Sequence, residues 1–152
     1  MSTDKHDNFN PKQIYNTAHS FFLAANRCNE PRVQDIGFVQ MLIVPTVVNA
    51  AFSCELSIKA VLNQLGIPVP HGNDGHKIDS LFSCLPIELQ EKVKKDVNSA
   101  NFCSDIQFIS NAFVEWRYLY EKGSASIPFD FLMTLAQALC KEAEIIVTKS
   151  TP

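Results

Sequence analysis

The residue types best suited to chemistry are concentrated in one short run, Asn111-Ala-Phe-Val-Glu-Trp-Arg-Tyr-Leu-Tyr-Glu121. It contains the only Trp of the chain, one of its three Arg and two of its three Tyr. A guanidinium grips phosphate, and phenol and indole rings stack on nucleobases. If the run is helical, Trp116 and Tyr120 lie on the apolar stripe of Phe113. We therefore expect both of these aromatic rings in the core.

Arg117 and Tyr118 would then project from the faces that flank this stripe. Arg117 either reaches a cleft or forms an internal ion pair with a carboxylate such as Glu55 or Glu121. The internal pair is the favoured interpretation, because buried charges require partners.

A second pair of chemically useful residues is Glu55 and Lys59, which are four residues apart and share a helix face. One interpretation is a salt bridge at the edge of the core, contributing a few tenths of a kcal/mol. The other is that Glu55 is partly buried and draws in Lys59 and Arg117 as cations. The structural salt bridge is favoured, and both interpretations remain open on the sequence.

Two histidines, His71 and His76, flank a Gly-Asn-Asp-Gly segment and suggest a metal site with Asp74 or Asp79. The spacing lacks the regularity of ligand pairs on one helix face, so a loop or helix-start role is preferred and no metal is predicted. The sequence also lacks a glycine-rich phosphate loop, a nucleophile elbow and a Cys-x-x-Cys pair. No cofactor is predicted.

The composition indicates one compact domain, since 46% of the 152 residues are hydrophobic and only 19% are charged. A net charge of -3 does not suggest a general nucleic-acid binder. Five cysteines without paired spacing, after a polar N-terminus, indicate reduced thiols in a cytoplasmic protein. The apolar run 38–51 is interrupted by Gln40, Pro45 and Asn49, so no membrane association is predicted.

These residues must be positioned by helices, because apolar positions recur with helical spacing and no segment alternates over strand length. The fold class predicted is all-α, a bundle of four main helices with a short helical insert. Residues 1–10 are predicted to be a disordered N-terminal tail and residues 11–148 a single domain. The predicted helices cover residues 11–27, 45–65, 76–85, 86–98, 104–122 and 128–147, with a connector at 28–40.

Three motifs together resemble HEPN-type helical domains. They are Asn49-Ala-Ala-Phe-Ser-Cys-Glu-Leu-Ser-Ile-Lys-Ala-Val-Leu62, Gly75-His-Lys-Ile-Asp-Ser-Leu-Phe82 and Trp116-Arg-Tyr-Leu-Tyr-Glu121. Their order and spacing match over residues 43–147. The resemblance implies an up-and-down four-helix bundle that commonly pairs into a homodimer across its helices. It also implies a prokaryotic toxin–antitoxin, phage-defence or RNA-processing role, with a nucleotidyltransferase or antitoxin as partner.

Many members of this family are metal-independent ribonucleases that use Arg-x(4–6)-His. The resemblance assigns the arginine to Arg117, which places the histidine at positions 122–124. Those positions hold Lys122, Gly123 and Ser124. His76 matches the histidine at the family's short-helix start, and its implied role is structural.

The leading functional hypothesis is a non-catalytic, dimeric HEPN-like module. It would bind RNA, a nucleotide or a protein partner through a cleft formed by Glu55, Lys59, Arg117 and Tyr118. One alternative is a divergent ribonuclease in which Arg117 is helped by a tyrosine or by a histidine that the fold brings in. Another is a structural helical adaptor whose aromatic run is only core.

Overall fold

The structure is a computed structural model that describes residues 9–35 and 37–149. This part of the chain is mostly helical, with one two-stranded antiparallel sheet. Its elements are α1 (Pro11–Cys28), β1 (Arg32–Gln34), β2 (Phe38–Gln40), α2 (Ile43–Leu65), a 3-10 helix (Gly72–His76), α3 (Ile78–Ser83), α4 (Ile87–Val97), α5 (Phe102–Ile109), α6 (Ala112–Arg117), α7 (Leu119–Lys122) and α8 (Phe129–Lys149). The tail predicted for residues 1–10 lies, apart from Phe9 and Asn10, outside the described residues.

The helix ends follow local capping chemistry. The Asn10 side chain accepts a hydrogen bond from the Lys12 amide at 3.0 Å and starts α1, which Pro11 is suited to follow. Gly66 ends α2 in a left-handed conformation with φ 69°, which glycine adopts without strain. The predictions for α1, α2 and α8 are confirmed to within two residues at each end.

Helix α2 is the central element, in contact with α1, α6 and α8. Ala, Val, Ile and Leu side chains along its length are fully buried, as are the polar Ser53 and Glu55. Because α1, α6 and α8 all pack on α2, its position decides where these helices place their side chains.

Among the described helices, none is both long enough and apolar enough to cross a bilayer.

The connector predicted at 28–40 contains a β-hairpin that was not predicted from the sequence, within a chain whose described part is otherwise helical, as the all-α prediction requires. Val33 pairs with Val39 across two three-residue strands, and Gly37 occupies the turn with φ 97°. Three residues per strand are too few for alternation to be detected in the sequence. Every described residue from 30 to 43 is exposed.

The long helix predicted over residues 104–122 is divided into α5, α6 and α7. The Ser110 carbonyl oxygen accepts a hydrogen bond from the Ile78 amide at 3.2 Å, and the Ser110 hydroxyl is bonded to the carboxylate of Asp79. The Asp79 amide also donates to this hydroxyl at 3.2 Å. These bonds dock the start of α3 onto the junction between α5 and α6, where the predicted helix would have been continuous.

A second break at Tyr118, with φ -112° and ψ 25°, changes the direction in which the aromatic run faces. Trp116 is buried, as predicted. Tyr120 is 78% exposed, so its predicted core position was wrong. An uninterrupted helical phase would have carried Tyr120 inward; the break turns it to the surface.

We expect Ser110→Ala to destabilise the fold by about 1–3 kcal/mol, because it removes the buried hydroxyl that bonds to the half-buried Asp79 carboxylate and accepts from the Asp79 amide. Urea unfolding at neutral pH measures this loss. The matched control is Ser104→Ala, which removes an exposed hydroxyl bonded to the Asn101 carbonyl. That control should stay within about 0.5 kcal/mol of wild type. Equal effects of the two substitutions would contradict the docking role of Ser110.

Cysteine chemistry should follow burial. Burial and, to a smaller extent, the nearby Glu144 carboxylate raise the pKa of the Cys140 thiol to about 11. Burial also raises the pKa of Cys54 far above the ordinary value. Cys103 is exposed.

We therefore expect iodoacetamide to modify Cys103 in the folded protein while Cys54 and Cys140 are protected until unfolding, as read by peptide mass spectrometry. Unfolded thiols lose protons near pH ~8.5, while these folded thiols keep them. The free energy of unfolding should consequently fall as the pH rises from about 8.5 towards about 11. Rapid modification of Cys54 in the native protein would contradict the packing of α2.

Candidate functional site

The Glu55 carboxylate is almost completely buried, with 2% of the residue exposed. Its Oε1 atom lies 2.7 Å from Lys59 Nζ and 3.0 Å from His76 Nδ1. Its Oε2 atom is buried and has no hydrogen-bond partner in the described residues. Because a buried carboxylate without partners is costly, these two contacts hold three side chains in one cluster. We call Glu55, Lys59 and His76 the Glu55 cluster.

His76 reaches this cluster through the conformation of the 3-10 helix that it ends. The preceding residue, Gly75, is buried and lies so close to the Pro70 backbone that a Cβ atom there would be 2.6 Å from the Pro70 carbonyl oxygen. Only glycine fits at that approach. The docking of Ile78 onto Ser110 then fixes the next turn of chain. The histidine ring is therefore positioned from both sides.

The contact with Glu55 decides which nitrogen of the His76 ring is available to other groups. An ionised carboxylate only accepts hydrogen bonds, so Nδ1 donates to Glu55 and Nε2 is left for another partner. The side chain is 61% exposed. A carboxylate that orients an exposed imidazole in this way is an arrangement used for general acid–base chemistry.

The sequence anticipated parts of this cluster. Glu55 and Lys59 form the predicted i,i+4 salt bridge, and Glu55 is also buried as the sharper interpretation required. His76 was predicted to start the short helix; it instead ends the 3-10 helix, two residues before α3 begins, and its ring contacts Glu55. No spacing rule links residues 55 and 76, so only the fold reveals their contact.

Arg117 lies at the end of a row of three phenylalanine rings that contact one another in sequence. The Phe21 ring packs edge-on against Phe52 with centroids 4.7 Å apart, and Phe52 stacks on Phe113 at 4.5 Å. The Arg117 guanidinium carbon then lies 4.5 Å from the Phe113 centroid and 5.4 Å from that of Tyr118. Cation–π contacts of this kind hold a guanidinium flat without consuming its donors.

A surface cavity of about 360 Å³ adjoins this guanidinium. It is lined by Val44, Trp116, Arg117, Leu119, Tyr120 and Gly123. The exposed rings of Tyr118 and Tyr120 have centroids 6.4 Å apart. We call Arg117, Tyr118 and Tyr120 the Arg117 patch. It combines a cation with two phenols beside an open cavity.

The internal ion pair favoured for Arg117 is not formed. Within the described residues, Arg117 has no salt bridge, and Glu55 pairs with Lys59 and His76 instead. The four residues predicted to share one cleft therefore fall into two groups. Glu55 and Lys59 belong to the buried cluster, while Arg117 and Tyr118 belong to the exposed patch.

The two carboxylates considered for a metal site, Asp74 and Asp79, each contact another side chain. Asp79 is bonded to Ser110, and Asp74 lies 3.7 Å from Lys77 Nζ. In the part of the chain that the structure describes, no three His, Cys, Asp or Glu side chains are arranged to hold a metal ion.

Comparisons with protein-family models, with curated proteins and with solved structures find no match to this chain. Functional inference therefore relies on the two groups of residues themselves.

The Glu55 cluster predicts that replacing two of its residues destabilises the protein less than replacing one of them. We expect Lys59→Met to destabilise the protein by about 3 kcal/mol, because the Glu55 carboxylate stays buried with only His76 beside it. The double variant Glu55→Met with Lys59→Met should recover most of that loss, since it removes the buried charge as well. Chemical denaturation of the three proteins gives the comparison.

The control is Lys77→Met, which breaks an exposed contact of 3.7 Å and should change stability by less than about 0.5 kcal/mol. A double variant less stable than Lys59→Met alone would show that the Glu55 charge is not the costly element.

Proposed function

We propose that this protein is a HEPN-like helical module that binds single-stranded RNA through the Arg117 patch without cleaving it. In this proposal α1, α2, the α5–α7 segment and α8 correspond to the four helices of an up-and-down bundle, and α3 with α4 forms the insert. The module acts as a homodimer in the cytoplasm. Its context is a prokaryotic toxin–antitoxin or defence system, with an antitoxin or nucleotidyltransferase as partner.

The observation that carries the proposal is an exposed guanidinium that lies over the rings of Phe113 and Tyr118 and has no hydrogen-bond or ion-pair partner among the described residues. The Phe113 ring lies 4.5 Å from the guanidinium carbon and restricts its motion, which reduces the entropy lost when a ligand binds. A phosphate oxygen can accept two parallel hydrogen bonds from such a fork. Tyr118 and Tyr120 supply ring faces on which unstacked bases can lie.

Single-stranded RNA fits this patch better than a duplex. Duplex recognition relies on many backbone contacts over a basic face, and the net charge of -3 does not provide one. A splayed strand needs only local stacking and one or two phosphate contacts. A free nucleotide would use the same groups, with fewer contacts.

The absence of cleavage follows from positions 122–124, which lack the histidine that the family resemblance requires after Arg117. The adaptor interpretation requires the whole aromatic run to be core. Tyr118 and Tyr120 are exposed, which favours a binding role over that interpretation.

A ribonuclease remains a second candidate because of one observation. His76 is held by Glu55 with most of its ring exposed, so the fold supplies an oriented imidazole that the run after Arg117 lacks. If a bound strand extended from the Arg117 patch to the Glu55 cluster, His76 would be the group available for proton transfer.

We expect Arg117→Ala to weaken binding of a fluorescein-labelled single-stranded RNA by about tenfold or more, as measured by fluorescence anisotropy at 0.1 M salt. Arg117→Lys should recover only part of the affinity, because an ammonium keeps the charge but loses the planar fork. The control Arg27→Ala removes an exposed cation in the last turn of α1 and should leave the affinity unchanged.

Equal losses in Arg117→Ala and Arg27→Ala would contradict the patch, since they would indicate only general electrostatics. The same RNA, recovered after incubation and resolved on a denaturing gel, should be intact. Cleavage that His76→Ala abolishes would replace the proposal with the ribonuclease candidate.

A further inference from the structure

The side chains that line the cavity beside Arg117 are rich in hydrogen-bond donors and poor in acceptors. Those with polar groups are Arg117, Trp116 and Tyr120. A guanidinium and an indole only donate, while a phenol hydroxyl donates or accepts. Val44 and Leu119 add apolar wall, and within the described part of the chain no carboxylate or carboxamide lines the cavity. A group that enters it must therefore present acceptors.

Arg117 has more donors than a single phosphate contact uses. A guanidinium carries five N–H groups, and a bidentate phosphate contact occupies two of them. Among the described residues none accepts a hydrogen bond from Arg117, and the Phe113 ring that lies 4.5 Å from its guanidinium carbon leaves the donors open. A strand held by phosphate on Arg117 therefore leaves donors of the same side chain for a base in the cavity.

Guanine is the base whose acceptors match such a fork of donors. Its O6 and N7 atoms are neighbours on one edge, and an arginine binds both at once. The N–H groups of guanine lie on its Watson–Crick edge, where they stay in water. Adenine places an amino group beside N7, and cytosine carries an amino group where guanine has O6, so each would set a donor against a donor. Uracil offers only one acceptor, O4, on this edge.

We propose that the cavity beside Arg117 is a guanine-selective subsite, in which Arg117 binds O6 and N7 while the base stacks on Tyr120. Tyr120 lines the cavity and is 78% exposed, so its ring face is available. The cavity volume of about 360 Å³ lies in the range of small-molecule sites. The inference rests on the proposed binding of single-stranded RNA and names the nucleotide that the site selects.

The test compares fluorescein-labelled uridine oligonucleotides that differ only in one central base, by fluorescence anisotropy at constant salt. A central guanosine should bind about tenfold more tightly than adenosine, cytidine or uridine. Replacement by 7-deazaguanosine, which has C–H in place of N7, should lose most of this gain. Inosine lacks only the N2 amino group and should keep it, because O6 and N7 remain. These probes use the unaltered protein, so their comparison does not depend on the folding of a variant.

Three variants assign the preference to Arg117. Arg117→Ala should bind all the oligonucleotides equally, because a lost base contact relaxes specificity. The matched control Arg27→Ala removes an exposed cation from the last turn of α1 and should keep the guanosine preference. Tyr120→Phe should keep it too, since this change removes the one side-chain hydroxyl of the cavity and leaves the ring.

Equal affinity of the unaltered protein for every central base, weakened uniformly by Arg117→Ala, would overturn the guanine subsite and leave the RNA proposal standing, since that is the pattern of a phosphate contact. A loss with inosine would also overturn it, because the Watson–Crick edge would then be the one bound. Failure to bind any of the oligonucleotides would overturn both proposals. Displacement of the labelled strand by an equal concentration of guanosine 5′-monophosphate would overturn the strand as the source of the base.

Discussion

The burial of one carboxylate constrains much of this structure. Glu55 lies in the middle of α2, where it is 2% exposed and cannot be solvated by bulk water. Its charge is compatible with that position only because Lys59 and His76 both contact Oε1. The contact with His76 ties the loop after α2 back onto the helix. The need of a buried carboxylate for polar partners thus determines the path of a surface segment.

That path has consequences for the aromatic run. The chain that follows His76 enters α3, whose first amides bond to Ser110. Ser110 lies at the junction of α5 and α6, where a continuous helix would otherwise run. The interruption there and the second one at Tyr118 leave Trp116 inward and Tyr120 outward. Arg117 is consequently supported by Phe113 and is not neutralised by Glu55. The buried cluster and the exposed patch are thus products of the same docking.

The parts of the fold that could be predicted are those decided by local chemistry. Asn10 before Pro11 and Gly66 after Leu65 mark the ends of α1 and α2, because capping depends on neighbouring residues alone. The helix break at Ser110 depends on an amide more than thirty residues earlier in the chain, so periodicity could not reveal it. The hairpin was missed because its strands are too short to show a pattern. Among the candidate site residues, Glu55 and Lys59 were paired correctly, while the contact of Glu55 with His76 required the tertiary fold.

The most direct test of this account is the tautomer of the neutral His76 ring. It is measured by long-range proton–nitrogen correlation NMR on nitrogen-15-labelled protein, at a pH where the ring is neutral. If the Glu55 carboxylate organises this region, the proton must reside on Nδ1 and point at Oε1, and Glu55→Gln should change that preference. A neutral His76 ring with its proton on Nε2 would place a lone pair against the carboxylate. That result would contradict the central role assigned to Glu55.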